Sequence, residues 1–485
     1  MRLRLVFGLV GRLLAGWSIA FVAPAVLAMA DSRGDPRSAT GYLAGAGASL
    51  VLGLLLSRGR EHEMRFQRVE AAAVVSLLWL AVAAVSAVPF VVAGLPVEGA
   101  VFESLSGLTT TGASVLVDYG RYDRAMFLWR AEIQWIGGLG IIALFVAVLP
   151  RLGIAGRQMF FAEATGPSEE GLTPQIRRTA GRLWALYLTL TLAEFALLLG
   201  FGMAPFDSLC TAMATLSSGG FSPNARSIAG YGLPGCEWIV TAFMLLAGAN
   251  FAVQWRAVTR GPGALLRDPE FRAYVGFAVV TTIAVAFLLA GGVPGAAEWR
   301  AASFQVTSLQ STTGFASADF DRWPDGARAL LMLAILFGGC AGSSAGGPKV
   351  VRYVVLFRHV RREVVRELHP QAVLPLRLGR EAVPDSVLRS VVMFVAIYFA
   401  TWGAAALALI LLGADLLTGV SAALTCLANA GPGLNAVGPM ASYDGLPAAS
   451  KWILAATMWL GRLEILPVLV LIRPEVLRAA SWRRR

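Results

Sequence analysis

Four short segments of this chain share one chemistry: LSGLTTTGAS (105–114), MATLSSGGFS (213–222), SLQSTTGFAS (308–317) and CLANAGPGLN (426–435). Each brings Ser or Thr hydroxyls, or an Asn amide, up to a glycine: Gly112, Gly220, Gly314 and Gly431. Hydroxyl and carbonyl oxygens are uncharged acceptors suited to a dehydrated cation. Glycine opens φ values that turn backbone carbonyls inward. A competing reading is that small residues merely ease helix packing, as they do in membranes. That suffices for one turn. Four turns at the same position between apolar stretches point to a single pore with fourfold pseudosymmetry.

The elements that must position these turns follow from composition. The chain has 485 residues, 56% of them hydrophobic and 15% charged, with mean hydropathy +0.65. That is too apolar for an ordinary soluble protein and marks a polytopic membrane protein. A hydrocarbon core of ~30 Å needs about 20 helical residues. Residues 71–97, 274–297 and 390–414 are charge-free runs of that kind. Further spans are read at 5–30, 39–56, 131–150, 183–205, 238–255, 329–348 and 452–472, which makes ten. The first is followed too soon by another apolar run to be a cleaved signal peptide.

Lys and Arg are retained on the cytoplasmic side of a membrane. With the N-terminus inside, 29 of the 41 fall in cytoplasmic segments (58–68, 151–182, 256–272, 349–389, and both ends) and 10 in the opposite loops; Arg12 and Arg462 lie within spans. Both termini are then cytoplasmic, and all four turns face outward. This asymmetry accounts for the pI near 10.1 without nucleic acid. The stretch 351–380 has two readings, docking of a soluble partner and attraction of anionic membrane lipid.

Conventional catalysis finds no support. Cys210, Cys236, Cys340 and Cys426 are scattered without CxxC or Cys/His pairing, so neither zinc nor a disulfide framework is indicated. GLG at 138–140 is no dinucleotide fingerprint, and no P-loop is present. The chain is read as not an enzyme and as holding no cofactor.

Each unit divides into span, short apolar helix, glycine turn and span. In the third, Ala301 to Gln310 is too short to cross a bilayer and ends at Ser311-Thr312-Thr313-Gly314. Such a half-helix points the carbonyl end of its dipole at the membrane middle, where it favours a cation.

At these residues the chain resembles the Trk/Ktr/HKT superfamily of potassium transporters, and most closely the bacterial Trk-type membrane subunit. The resemblance rests on the four turns, IQWIGGLGI (133–141), GGCAGSSAGGPKV (338–350) and GRLEILPVLVL (461–471). It implies an all-α fold: four pseudo-symmetric span/pore-helix/span repeats around one central pore, plus two N-terminal transmembrane helices. The expected divisions are 1–67 for the N-terminal pair, then repeats at 68–155, 156–262, 263–370 and 371–485. Carried over, the resemblance makes Thr110, Thr111, Gly112, Ser218, Gly219, Gly220, Thr312, Thr313, Gly314, Asn429, Ala430 and Gly431 a K⁺ selectivity filter. A serine at the first filter glycine often accompanies sodium transport in this superfamily; all four positions here are glycine. The fourth turn departs most, lacking threonine and carrying Pro432.

The segment Gly338, Gly339, Cys340, Ala341, Gly342, Ser343, Ser344, Ala345, Gly346, Gly347 holds five glycines. Each costs a helix about 1 kcal/mol relative to alanine, so a break is expected, and the resemblance makes it an intramembrane gating loop. A packing kink is the alternative. Pro348 stands where the family carries an aliphatic residue. Arg462 is expensive inside a span, by roughly 2.5–3.5 kcal/mol on insertion scales, and needs a cavity or partner. One reading pairs it with Glu464 or Glu132. The resemblance places it below the filter, repelling cations and holding loop carbonyls. Glu194 and Asp415 are read as structural or interfacial.

The expectation is K⁺ uptake across the bacterial inner membrane. The resemblance further implies a homodimer whose cytoplasmic face carries nucleotide-binding regulatory subunits of the TrkA type. The alternatives are a secondary carrier with re-entrant hairpins, which usually shows two inverted repeats, a Na⁺-permeable member of the superfamily, and a nontransporting scaffold.

Overall fold

The computed structural model describes residues 2–31, 36–58, 67–147, 174–372, 374–379, 381–472 and 474. The expected boundary at 155/156, the basic residues at 60, 65, 151 and 157, and those from 473 onward lie outside the described residues.

Among the described residues the regular structure is helical apart from a small antiparallel hairpin, β1 (Arg377–Leu378) and β2 (Glu381–Ala382). Helix α1 (Leu3–Trp17) runs through one 3-10 turn into α2 (Val22–Ala30), and α3 (Pro36–Ser57) returns beside them. Four helical units follow in the same order. The first is α4 (Arg68–Ser86), α5 (Val97–Leu108) and α6 (Arg124–Ala147). The second is α7 (Pro174–Gly200), α8 (Pro205–Leu216), α9 (Pro234–Ala247) and α10 (Phe251–Arg260). The third is α11 (Pro269–Ala290), α12 (Ala296–Gln310), α13 (Asp325–Phe337) and α14 (Val350–Leu368). The fourth is α15 (Asp385–Leu411), α16 (Leu416–Leu427), α17 (Ala448–Arg462) and α18 (Leu466–Ile472).

Among the described residues, six stretches are long and apolar enough to cross a membrane: Leu3–Ala30, Ser38–Ser57, Val69–Val92, Arg178–Gly200, Pro269–Ala290 and Asp385–Leu411. The outward faces of these stretches are apolar: Leu188, Leu192 and Leu197 on α7, Val279, Val280 and Phe287 on α11, and Leu407 and Leu411 on α15 are exposed. Aliphatic surface on that scale belongs against lipid. The short helices α5, α8, α12 and α16 are the reverse. In α5, Phe102 to Leu108 are all buried, serines and Glu103 included, so the helix sits at the centre of the molecule.

Two expected spans are corrected: residues 238–255 and 452–472 are not single helices. The span 329–348 breaks at the glycine-rich segment, where a break is expected. Helix α9 stops at Ala247 and α10 leaves it at 102°, because the Asn250 side chain accepts from Ala252 N (2.8 Å) and Val253 N (3.2 Å) and so starts a new helix. Helix α17 stops at Arg462, and Glu464 and Ile465 take left-handed φ values of 59° and 57°. Helix α13 stops at Phe337 before the glycine-rich segment.

Starts and docking contacts are set by few groups. Asp268 accepts from Phe271 N (2.8 Å) to begin α11. Asp415 accepts from Thr418 N (3.0 Å) to begin α16, and the hydrogen bonds from Thr418 hold its carboxyl below the usual carboxylate range. The N-terminal pair docks on the first unit: Arg2 and Glu70 form an ion pair at 3.0 Å, and Phe21 stacks on Trp129 with centroids 4.5 Å apart. Trp459 Nε1 donates to the Ser76 carbonyl at 3.3 Å, which joins the fourth unit to the first.

Candidate ion-conduction site

All four central helices end in the same way. Thr110 N donates to Gly107 O and Thr111 N to Ser106 O, at 2.9 and 2.8 Å. The equivalents are Ser218 to Thr215 and Gly219 to Ala214, Thr312 to Leu309 and Thr313 to Ser308, and Asn429 to Cys426 and Ala430 to Thr425. This double closure is a Schellman motif, whose C′ residue must be left-handed and is usually glycine. Here it is Thr110, Ser218, Thr312 and Asn429, at φ 53°, 56°, 55° and 55°. A left-handed residue with a Cβ costs roughly 1–2 kcal/mol, so four of them are held by their surroundings. The glycines two residues on are left-handed as well: Gly112 at 82°, Gly220 at 74°, Gly314 at 81° and Gly431 at 88°.

These glycines close a ring. A Cβ on Gly112 would strike the Gly219 carbonyl oxygen, one on Gly220 that of Thr313, one on Gly314 that of Ala430, and one on Gly431 would lie 2.6 Å from that of Thr111. Each turn therefore abuts the middle carbonyl of the next, in the order first, second, third, fourth, first. Asn429 Nδ2 to Thr111 Oγ1 (3.0 Å) reinforces the last junction. The four turns singled out are thus brought together in one closed ring at the carbonyl ends of four helices, with the Thr111, Gly219, Thr313 and Ala430 carbonyl oxygens at its junctions. This arrangement suits a desolvated cation.

The glycine-rich segment packs directly against the ring. Ser344 Oγ meets Ser218 Oγ at 2.9 Å, Gly346 N donates to Thr312 Oγ1 at 2.6 Å, and a Cβ on Gly346 would strike the Ala428 carbonyl. On its other flank Cys340 N donates to Gly248 O (2.8 Å), Ser344 N to Ala247 O (3.3 Å), and Phe251 N to Gly342 O (3.1 Å). The break between α9 and α10 is thus the seat of the loop. Gly338, Gly342 and Gly347 have positive φ, as does Lys349 at 64°. Helix resumes at Val350, two residues after Pro348.

Arg462, buried at the end of α17, donates Nη1 to the Ser344 carbonyl at 2.9 Å. Its Nε and Nη2 have no hydrogen-bond partner among the described residues. Neither expected carboxylate pairs with it. Glu464 binds Arg352 Nη2 at 2.6 Å, and Arg352 also lies 3.8 Å from the Phe394 ring centroid. Glu132 Oε2 makes no hydrogen bond among the described residues. Glu194 is fully buried, and its carboxyl oxygens have no hydrogen-bond partner among the described residues, whereas Asp415 is a helix cap.

Three groups bearing on the site were not singled out from sequence. Glu270, in the first turn of α11, accepts from Ala341 N (2.7 Å) and Val351 N (3.2 Å), clasping both ends of the loop. Lys349 Nζ donates to the Ala345 carbonyl at 2.6 Å. Arg130, buried, pairs with Glu103 at 2.8 Å and reaches Ser114 Oγ (3.0 Å) and the Ser222 carbonyl (3.2 Å), behind the first and second turns. Arg130 alone carried an advance signal, a charge within an apolar run; Glu270 and Lys349 lie in segments read as basic cytoplasmic loops.

A bundle of membrane-crossing helices around four re-entrant half-helices and an oxygen-lined ring defines a transmembrane ion-transport protein. Residues 42–484 match the TrkH family, described as a cation transport protein, and the chain belongs to that family, which is one of transporters and not of enzymes. It is 35% identical over 494 residues to the Trk system potassium uptake protein TrkH of Vibrio parahaemolyticus, covering 99% of this chain and 100% of that one. It is 34% identical over 407 residues to TrkG of Escherichia coli, covering 82% and 83%. The crystal structure of the potassium transporter TrkH from Vibrio parahaemolyticus has a TM-score of 0.90 at 32% identity and covers both chains completely.

Proposed function

We propose that the chain carries K⁺ into a bacterium across the inner membrane, with both termini cytoplasmic and the four turns facing outward. Thr110 to Gly112, Ser218 to Gly220, Thr312 to Gly314 and Asn429 to Gly431 form the selectivity filter, contributed by four repeats that divide near residues 67, 155, 262 and 370. Gly338 to Gly347 is the gate, and Arg462 holds it shut while opposing cation entry. The protein works as a homodimer under nucleotide-binding regulatory subunits of the TrkA type.

The observation that carries this reading is the closed ring, in which each filter glycine lies against the middle carbonyl of the next turn. Carbonyl oxygens at that density replace the hydration shell of a weakly hydrated alkali cation. Potassium uptake by the named relatives favours K⁺ as the ion. The test is radioactive rubidium uptake into liposomes holding purified protein, with K⁺ or Na⁺ as competitor. Suppression by K⁺ and weak suppression by Na⁺ is expected; equal suppression, or uptake indifferent to both, refutes the filter assignment.

A further inference from the structure

The ring is fourfold in backbone but twofold in how its turns are braced. In the first and third turns the middle residue is threonine, and it braces itself within the turn: Thr111 Oγ1 meets Thr109 Oγ1, and Thr313 Oγ1 meets Ser311 Oγ, both at 2.8 Å. In the second and fourth, which lie opposite each other in the cyclic order, the middle residues are Gly219 and Ala430 and have no hydroxyl. Each of those turns receives an outside donor on a backbone carbonyl, whereas the outside donors to the first and third turns, Asn429 Nδ2 and Gly346 N, meet the Thr111 and Thr312 hydroxyls. Gln134, fully buried on α6, donates Nε2 to the Gly219 carbonyl at 2.6 Å and accepts from Phe221 N at 3.1 Å, so it spans Gly220. Tyr443, buried beyond the fourth turn, donates its hydroxyl to the Gly431 carbonyl at 2.7 Å.

The fit at Gly219 is specific. A Cβ there would overlap the Gln134 carboxamide, yet Gly219 is not among the residues with positive φ. The backbone of the second turn thus accommodates a side chain, and Gln134 occupies its place. On the filter reading above, each donor also takes a share of a carbonyl otherwise offered to the cation alone, which weakens the field at two points of the ring. In a flexible ring of carbonyl dipoles, the number and field strength of the oxygens decide between alkali cations.

We infer that Gln134 and Tyr443 are positioning residues for ion selectivity, external braces replacing the hydroxyls that the second and fourth turns lack. The inference rests on the filter reading above. The test compares K⁺ and Na⁺ as competitors of rubidium uptake for wild type, Gln134→Leu, Tyr443→Phe, and the pair Gln134→Ala with Gly219→Thr, each checked for a monodisperse, folded protein. Discrimination is expected to fall roughly tenfold in each single variant and to recover in the pair, whose threonine supplies the hydroxyl used in the first and third turns. A merely structural role lowers the amount of active protein and leaves the ratio alone. If Gln134→Leu does not fold, Tyr443→Phe, which removes one oxygen, decides. Unchanged ratios in folded variants, with wild type discriminating, overturn the inference and leave the filter reading standing. A wild type that does not discriminate overturns both.

Discussion

Replacing Arg462 with methionine removes a charge while keeping most of the side chain's volume, and the structure assigns the consequence a size. The guanidinium makes one hydrogen bond to the loop, Nη1 to the Ser344 carbonyl at 2.9 Å. A hydrogen bond from a charged donor contributes about 1.5–3 kcal/mol. Its field adds to this: a unit charge ~6 Å from a permeating cation at an effective dielectric near 20 opposes it by about 3 kcal/mol. The two effects act in the same direction, so basal flux without a regulatory partner should rise by at least about tenfold, at 1.4 kcal/mol per decade. The fold should not suffer. Glu464, the nearest carboxylate in sequence, is already paired with Arg352 at 2.6 Å, and Arg462 Nε and Nη2 have no partner among the described residues to lose. Rubidium uptake and thermal unfolding are measured on the same purified protein. A melting temperature several degrees lower with no rise in flux refutes the reasoning, because it would mean that the charge stabilises the bundle and does not restrain the loop.

Three further outcomes follow from the same geometry. Gly112→Ser places a Cβ and a hydroxyl against the Gly219 carbonyl at φ 82°, so Na⁺ should compete for rubidium uptake more strongly than in wild type; an unchanged ratio in folded protein counts against the filter assignment. Arg130→Met strands the buried Glu103 carboxylate behind two turns, and breaking such a pair costs about 3–5 kcal/mol, so unfolding should begin at clearly lower temperature; an unaltered transition means the pair is not structural. Glu270→Leu removes the acceptor shared by Ala341 N and Val351 N, and basal flux should rise while competition between K⁺ and Na⁺ stays as in wild type. A fall in flux instead would mean that the clasp supports the open path.

What the sequence made legible was chemistry confined to a few consecutive residues. The turns could be read because Ser, Thr and Gly cluster at four matching positions, and the loop because five glycines in Gly338 to Gly347 cannot hold a helix. The left-handed residues Thr110, Ser218 and Thr312 could not, since nothing in their types announces positive φ; of the four only Asn429 is of a type that favours it. Nor could the break after Ala247, which depends on one asparagine cap inside an otherwise apolar run. The bend at Glu464 and Ile465 stands just before Pro467, a local breaker inside the run read as one span, and there the ion pair with Arg352, 112 residues away in sequence, joins two units. The expected pairing of Arg462 with Glu464 failed for a geometric reason. Residues two apart at a helix end do not face one another, so Arg462 points at the loop and Glu464 away from it.

The loop's own bonds bear on why a partner would be needed. Beyond its own flanking helices, eight hydrogen bonds tie it to other elements: Cys340 to Gly248, two from Ser344 to Ala247, Gly342 to Phe251, Ala341 to Glu270, Gly346 to Thr312, Ser344 to Ser218 and Ser344 to Arg462. At about 0.5–1.5 kcal/mol net for each, releasing all of them costs roughly 4–12 kcal/mol. At the lower end the loop is out of place about 0.1% of the time, and at the upper end almost never. A loop held this firmly opens usefully only when free energy arrives from elsewhere. Helices α10 and α14 are placed to deliver it, because each begins at the loop, α10 through Phe251 N on Gly342 O and α14 through Val351 N on the Glu270 carboxylate that also holds Ala341. Both carry arginines along their length, Arg256 and Arg260 on one and Arg358, Arg361, Arg362 and Arg366 on the other. A regulatory subunit of opposite charge pulling on either helix would act on the same bonds, and through Ser218 and Thr312 on the second and third turns of the ring.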